Sequence, residues 1–297
     1  MHFWSDALKP HNCRNRPFCA LQNRREIATL SQALAIHAVK SDLKLRLAQG
    51  RQEIHACQKL RYRVFYEELS AKSAVTASGV DADRFDAICD HLAVVRQGPP
   101  RAPDAILLAD GELVGTYRLL RQAVAEGNGG FYTQDEFDIA PLLTSHPGLR
   151  FLELGRSCVL KPFRTKPVVE LLWQGIWNYV RLHDVDVMFG CASLEGTDPE
   201  IHAEALSFLA EHRQAPAEWN ARALPGRYVE MKRRSRFDAK AALRALPPLV
   251  KGYLRLGCYI GEGAVIDREF NTIDIFIVLP VSAIHSRYFG KFGQPNA

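Results

Sequence analysis

The sequence predicts a mixed α/β sandwich, a central sheet flanked by helices, from three observations. Apolar runs with a period of two recur along the chain. Segments with three- and four-residue apolar spacing fall between them. The two kinds follow one another as βαββ–β–α–β–α. Residues 43–48 read as the first strand, with Leu43, Leu45 and Leu47 alternating against Lys44 and Arg46. Residues 53–68 read as a helix whose apolar stripe holds Ile54, Cys57, Leu60, Val64 and Phe65, and also Arg61. An arginine there either snorkels to the helix edge or is buried with a partner.

Residues 71–79 are small and polar and read as a loop. Asp81, Asp83, Asp86 and Asp90 follow it. Their order does not match an EF-hand, so no metal is expected, and they read either as a solvated turn or as a carboxylate pair for a cationic amine. Residues 91–95 and 113–120 are strands, the second entered from an Asp110–Gly111 turn and carrying Arg118 among apolar neighbours. The central strand spans residues 151–160. It alternates Leu152, Leu154, Cys158 and Leu160 but is interrupted by Glu153, Gly155 and Arg156, which predicts a bulge near Gly155. Lys161, Arg164 and Lys166 crowd the proline-bounded loop that follows. Helix 168–183, strand 185–192 and helix 199–212 come next, and an apolar strand over 271–279 closes the pattern.

The chain of 297 residues is 47% hydrophobic and 24% charged, as expected of a soluble globular domain. Residues 1–40 read as an N-terminal extension, with a short helix within 27–39 that either packs on the domain or lies on a membrane surface. Residues 41–292 read as the domain proper. None of the seven cysteines forms a CxxC pair, and several lie in apolar stretches, which favours a reducing cytoplasm. The first residues lack an apolar signal core, and the run at 273–284 is too short to span a bilayer. The net charge of +5 is mild, but residues 227–255 concentrate lysine and arginine. An acidic protein, an anionic membrane or RNA would each suit such a patch. Without interleaved aromatics, nucleic acid ranks last.

There is no G-x-S-x-G elbow, P-loop, H-E-x-x-H or dinucleotide fingerprint. His37 and Asp42 have an acyltransferase-like H-x4-D spacing but precede the first convincing strand, and the match reads as chance. Leu60-Arg-Tyr-Arg-Val-Phe65, Asp83-Arg-Phe-Asp86, Val114-Gly-Thr-Tyr-Arg118 and Glu153-Leu-Gly-Arg156 occur in the order seen in acyl-homoserine lactone synthases, and the chain resembles them at these blocks. The tryptophan those synthases carry after the first block is absent. Cys89-Asp-His-Leu92, Phe189-Gly-Cys-Ala-Ser193, Gly196-Thr-Asp-Pro199, the run from Pro247 to Gly257, and Phe270-Asn-Thr-Ile-Asp274 are similar to bacterial L-ornithine Nα-acyltransferases, some of which carry a hemolysin-like label.

That resemblance implies a GNAT-like acyl-CoA N-acyltransferase fold and lipid biosynthesis. The implied reaction moves a 3-hydroxyacyl chain from acyl carrier protein to L-ornithine, with no bound cofactor. In that reading Glu153 and Arg156 are catalytic, Glu153 helping to remove the amine proton while amides at the bulge receive the oxyanion. Arg61, Phe65, Asp83, Asp86 and Arg118 are substrate-binding. Asp83 and Asp86 would hold the cationic amino acid and the arginines its carboxylate, unless these charges form an ion-pair network of their own. The paired-glycine pyrophosphate loop of such enzymes is missing, and Lys161, Arg164 and Lys166 stand there. A basic loop of this kind suits the single phosphate of a carrier-borne phosphopantetheine on an acidic protein. Peripheral contact with an anionic membrane is a further expectation. Two other readings stay open: a relative that uses coenzyme A or another amine, and a non-catalytic membrane-surface protein.

Overall fold

The structure, a computed structural model, describes residues 36–69, 71 and 78–285. Most of the expected extension, residues 27–35 of its helix, most of loop 71–79 and residues 286–292 therefore lie outside the described residues. Residues 38–40, expected in part as that helix and as extension, instead form a strand paired with residues 43–45, ahead of the expected first strand. The strands are β1 (Ala38–Lys40), β2 (Leu43–Leu47), β3 (Asp90–Arg96), β4 (Leu107–Leu108), β5 (Gly111–Arg121), β6 (Phe137–Asp138), β7 (Phe151–Val159), β8 (Val187–Glu195), β9 (Arg222–Ala223), β10 (Tyr228–Val229), β11 (Tyr259–Asp267) and β12 (Thr272–Pro280). The helices are α1 (Gly50–Tyr62), α2 (Gln122–Glu126), α3 (Ala140–Ser145), α4 (Lys166–Leu182), α5 (Ala203–His212), α6 (Ala239–Ala245) and α7 (Pro248–Leu256). The helix expected over 53–68 is α1 continued by a π-helical segment, Arg63–Glu68, which carries Phe65.

Strand alternation gives the sheet two apolar faces, and each has its own core. Leu119, Leu152, Met188 and Ile277 point to one face, under Cys57 and Leu60 of α1 and Leu172 and Ile176 of α4. Their neighbours Leu120, Phe151, Phe189 and Phe276 point to the other, against Phe131, Phe137 and Ile139. Each such side chain taken from water contributes about 1.5–3 kcal/mol, which is why the period-two signal survives into the fold.

The strands run in the order β1-β2-β3-β5-β7-β8-β12-β11-β9-β6. Pairing along the central strands is antiparallel except between β7 and β8, which run parallel. The antiparallel pair β8–β12 stays in register throughout, from Thr272–Glu195 to Pro280–Val187. The parallel pair does not, and meets only at Phe151–Val187, Leu152–Met188 and Glu153–Phe189. Beyond Glu153 the two strands part.

Gly190 lies just past the last paired residue of β8, and a Cβ there would overlap the carbonyl oxygen of Leu154. Only glycine allows the two backbones to stay this close at the fork. Gly190→Ala is expected to lower stability by about 2 kcal/mol or more, the range for overpacking a tight contact. Thermal unfolding checks this, and an unchanged melting temperature would mean the fork tolerates spreading.

Candidate active site

The parting of β7 and β8 opens a cavity of about 240 Å³. Glu153, Gly155, Arg156 and Ser157 line it from β7, and Cys191 and Ser193 from β8. No residue of β7 after Glu153 pairs with β8, so that edge of β7 offers its backbone groups to the cavity.

A bulge lies on the other edge of the same stretch. Thr116 pairs with Cys158 and Arg118 with Gly155, leaving Arg156 and Ser157 opposite Tyr117 alone. The residue in the left-handed conformation is Arg156, with φ of +50°, and not Gly155, where the sequence suggested the irregularity. Left-handed backbone at a non-glycine residue costs about 1–3 kcal/mol and needs side-chain contacts to hold it. Those contacts are present. Arg156 Nε lies 3.3 Å from Asp81 and Nη2 3.4 Å from Asp83, while its guanidinium sits 4.6 Å from the Tyr132 ring and 4.5 Å from the Phe270 ring.

These contacts belong to a network of three arginines and three aspartates. Arg61, 1% exposed, donates to Asp81 at 2.6 Å and to Asp86 at 2.8 Å, so it is buried with partners and does not snorkel. Arg118 donates to Asp83 at 2.7 Å and to Asp86 at 3.4 Å. The Asp83 side chain also caps the 3-10 turn Arg84–Ala87, and Asp86 accepts from the Asp83 amide at 3.0 Å. Burial alone would raise Asp86, but Arg61 and then Arg118 hold its carboxyl well below the usual range. Of the residues that the sequence singled out for substrate binding, Phe65 and Arg118 reach the cavity wall, whereas Arg61, Asp83 and Asp86 stand behind it.

Glu153 is 5% exposed and lines the cavity. Its Oε1 accepts from the Thr133 amide at 2.7 Å and the Thr133 hydroxyl at 2.6 Å, and its Oε2 accepts from the Tyr132 amide at 3.1 Å. Burial pushes this carboxyl up, with the Thr133 and Tyr132 donors opposing. It is thus held firmly while keeping a raised proton affinity. In the basic loop, Arg164 bonds the Val159 carbonyl at 3.0 Å and pairs with Glu68 at 2.5 Å, while Lys161 and Lys166 are exposed. That loop leads straight into the first turn of α4.

Sequence reasoning assigned no role to several groups at the cavity. Tyr117 and Tyr253 line it with their hydroxyls 2.5 Å apart, and burial pushes both phenols up. Asp267 and Asp274 line it from β11 and β12, with Glu136 close by. The signal for Asp274 was a carboxylate inside an apolar strand, the same kind that marked Arg118; Tyr253 sat in a block noted for resemblance alone.

A sheet that forks at its parallel pair, beside a bulge and a carboxylate, defines a GNAT-type acyltransferase. The family model for the acetyltransferase (GNAT) domain matches residues 60–174, a span that runs from α1 through β7 into α4. The chain is 51% identical over 256 residues to the L-ornithine N(alpha)-acyltransferase of Brucella abortus, covering 84% of this chain and 89% of that protein. It is 38% identical to that of Rhodobacter capsulatus, over 82% of this chain and 92% of the relative. A solved N-acyl amino acid synthase from uncultured soil microbes aligns with 83% of this chain and 97% of its own, at 12% identity and a TM-score of 0.46. The chain belongs to the L-ornithine Nα-acyltransferase family and is an acyltransferase.

Burial pushes the Glu136 carboxyl up, the neighbouring Asp274 charge adds to this, and the Cys191 thiol and Arg227 oppose it; Asp267 and Tyr132 also face it. Burial likewise raises Asp274, whose other neighbours include Ser193, Thr272, Asp267 and Arg156. A carboxyl whose folded pKa lies above its unfolded value contributes stability at low pH. That stability is lost as pH rises through the folded value. The substrate-free protein should therefore lose stability as pH rises above the ordinary carboxylate range, and Glu136→Gln should flatten that slope. Melting temperatures of both proteins across pH check this; parallel curves would refute it.

Proposed function

We propose that this protein transfers a 3-hydroxyacyl chain from acyl carrier protein to the α-amine of L-ornithine, giving lyso-ornithine lipid, the first step of ornithine lipid synthesis. The observation that carries the reading is the forked β7–β8 cavity beside the Arg156 bulge, in a chain half identical to L-ornithine Nα-acyltransferases. The donor is an acyl thioester. Its carbonyl lies along the open edge of β7, where backbone amides of the bulge receive the oxygen as it becomes negative.

The ammonium loses one proton to Glu153, directly or through one water, and its lone pair attacks the thioester carbon. Three donors leave the carboxylate a lone-pair site to spare, and its raised affinity suits it to hold that proton, the one the reaction releases. The C–N bond forms, the tetrahedral intermediate collapses and the C–S bond breaks. Tyr253, hydrogen-bonded to Tyr117, gives its proton to the leaving thiolate and takes up the second proton shed by the nitrogen as it becomes an amide, so the phenol is restored. Arg156 acts by shaping the bulge and Arg118 by fixing Asp83 and Asp86, while Arg61 ties Asp81 and Asp86 to α1. Phe65, edge-on to Phe270 at 5.6 Å, gives the cavity an apolar wall.

The basic loop faces the carrier. Exposed Lys161, and Lys166 beyond its loose 4.0 Å pairing with Glu170, face a phosphopantetheine phosphate and an acidic protein surface, and Arg164 braces the loop against Glu68. In the 227–255 region Arg227 pairs with Glu136, and Arg233 and Arg234 with Glu200. Arg236, Lys240 and Arg244 stay exposed beside Leu243, a surface suited to the carrier or to peripheral contact with anionic lipid. Among the described residues no helix is long and apolar enough to cross a membrane.

Two measurements test these assignments. Reversing the exposed lysines, Lys161→Glu with Lys166→Glu, should raise KM for acyl carrier protein by about tenfold or more and leave kcat nearly unchanged. An unchanged KM refutes the loop assignment. Tyr253→Phe should lower kcat by about 100-fold, the scale of a lost general acid, with the melting temperature little altered. Full turnover by that variant would assign the proton to another donor.

A further inference from the structure

The second set of charges at the cavity is not balanced. Glu136, Asp267 and Asp274 come from separate elements, are all buried, and bring one oxygen each within 4.8 Å of the others. Asp267 accepts from the amides of Glu269 at 2.8 Å and Phe270 at 3.1 Å, and Asp274 from the Thr272 hydroxyl at 2.8 Å. Glu136 Oε1 lies 3.4 Å from Arg227. Its Oε2 is buried with no hydrogen-bond partner, in a residue only 2% exposed. Such an orphaned oxygen is expensive unless something completes it. The contrast with Asp81, Asp83 and Asp86 is direct, because three arginines pair with those three acids, whereas among these three only Glu136 pairs with an arginine, Arg227.

We infer that Glu136, Asp267 and Asp274 receive the side-chain ammonium of the amino acid acceptor, and so select a dibasic amino acid and direct acylation to its α-amine. This rests on the reading of the protein as an amino acid N-acyltransferase. An ammonium brings three N–H donors to three carboxylates, and it reaches them through the cavity that Asp267 and Asp274 share with Glu153. L-Ornithine carries two amines on one chain. The amine held as a cation among these acids is no nucleophile, which leaves the other beside Glu153 and the bulge. A divalent metal is the competing occupant of three carboxylates, and the Arg227 guanidinium against Glu136 weighs against it.

The test compares L-ornithine with L-norvaline, the same skeleton without the terminal amine, on the full chain. Calorimetry without donor measures binding, and steady-state acylation with 3-hydroxyacyl carrier protein measures turnover. Wild type should bind ornithine about tenfold or more tighter than norvaline. Asp274→Asn and Glu136→Gln should erase that preference, raising KM for ornithine by about tenfold while leaving that for norvaline alone. Both variants should melt at or above the wild-type temperature, since each removes a buried carboxyl whose ionisation burial opposes; a role in holding the fold would lower it. An unchanged ornithine-to-norvaline ratio in the variants overturns the inference. So does magnesium chloride alone binding wild type at this site while ornithine binding ignores the substitutions. Wild type that binds ornithine selectively yet acylates no amino acid would sink the proposed reaction and leave the cation site standing.

Discussion

Everything at the cavity depends on Arg156 holding a left-handed backbone in the middle of a strand. The bulge turns one edge of β7 out of regular pairing with β5 just where its other edge leaves β8. The side chain that holds it is buried and charged, so it needs buried partners of opposite sign. Asp81 and Asp83 supply them, and the same loop is stitched to α1 by Arg61 and to β5 by Arg118. Three positive and three negative groups sum to zero, and a network balanced in this way escapes most of the penalty of an unpaired buried ion. Removing one member leaves its partners uncompensated, which spreads damage from the loop to the bulge.

The sequence made the strands legible because both sheet faces are apolar, so the central strands read as short apolar runs in which a charge stands out. β3, β5, β7 and β12 fall within two residues of their expected bounds at each end. Strand β11 was not visible. Gly261 and Gly263 break its alternation, the pairing with β12 shifts between Ile260 and Ala264, and Gly263 takes a φ of +79° where most side chains would strain. Helices α6 and α7 went unnoticed for a different reason: they are short, and their lysines and arginines read first as a charge patch.

At the site, a charge inside an apolar pattern proved a dependable flag, since it marked Arg61, Arg118, Glu153 and Arg156. What it could not reveal was pairing. Asp83 and Asp86 read as well for a substrate amine as for an internal arginine, because the choice depends on which side chains the fold brings within about 4 Å. Glu136 and Asp274 stand far apart in sequence on elements that only the sheet order unites. Asp267 and Asp274 share the β11–β12 hairpin, but nothing in the spacing connects them to Glu136 before β6.

The two charge clusters beside the cavity divide the labour of a reaction that must tell apart two amines on one small molecule. A neutral network cannot compete for a cation, so the arginine–aspartate cluster shapes the bulge without drawing the acceptor to it. An acid-rich cluster does draw a cation, and it holds one amine protonated at a fixed distance from the forked strands. In the proposed reaction the other amine then meets Glu153, whose burial favours taking up a proton. Stability is given up at Glu136, where an oxygen is buried without a partner, and the substrate's own ammonium restores it on binding. Selectivity and position then come from one contact, because a substrate without the second cation both binds more weakly and lies less firmly against the bulge.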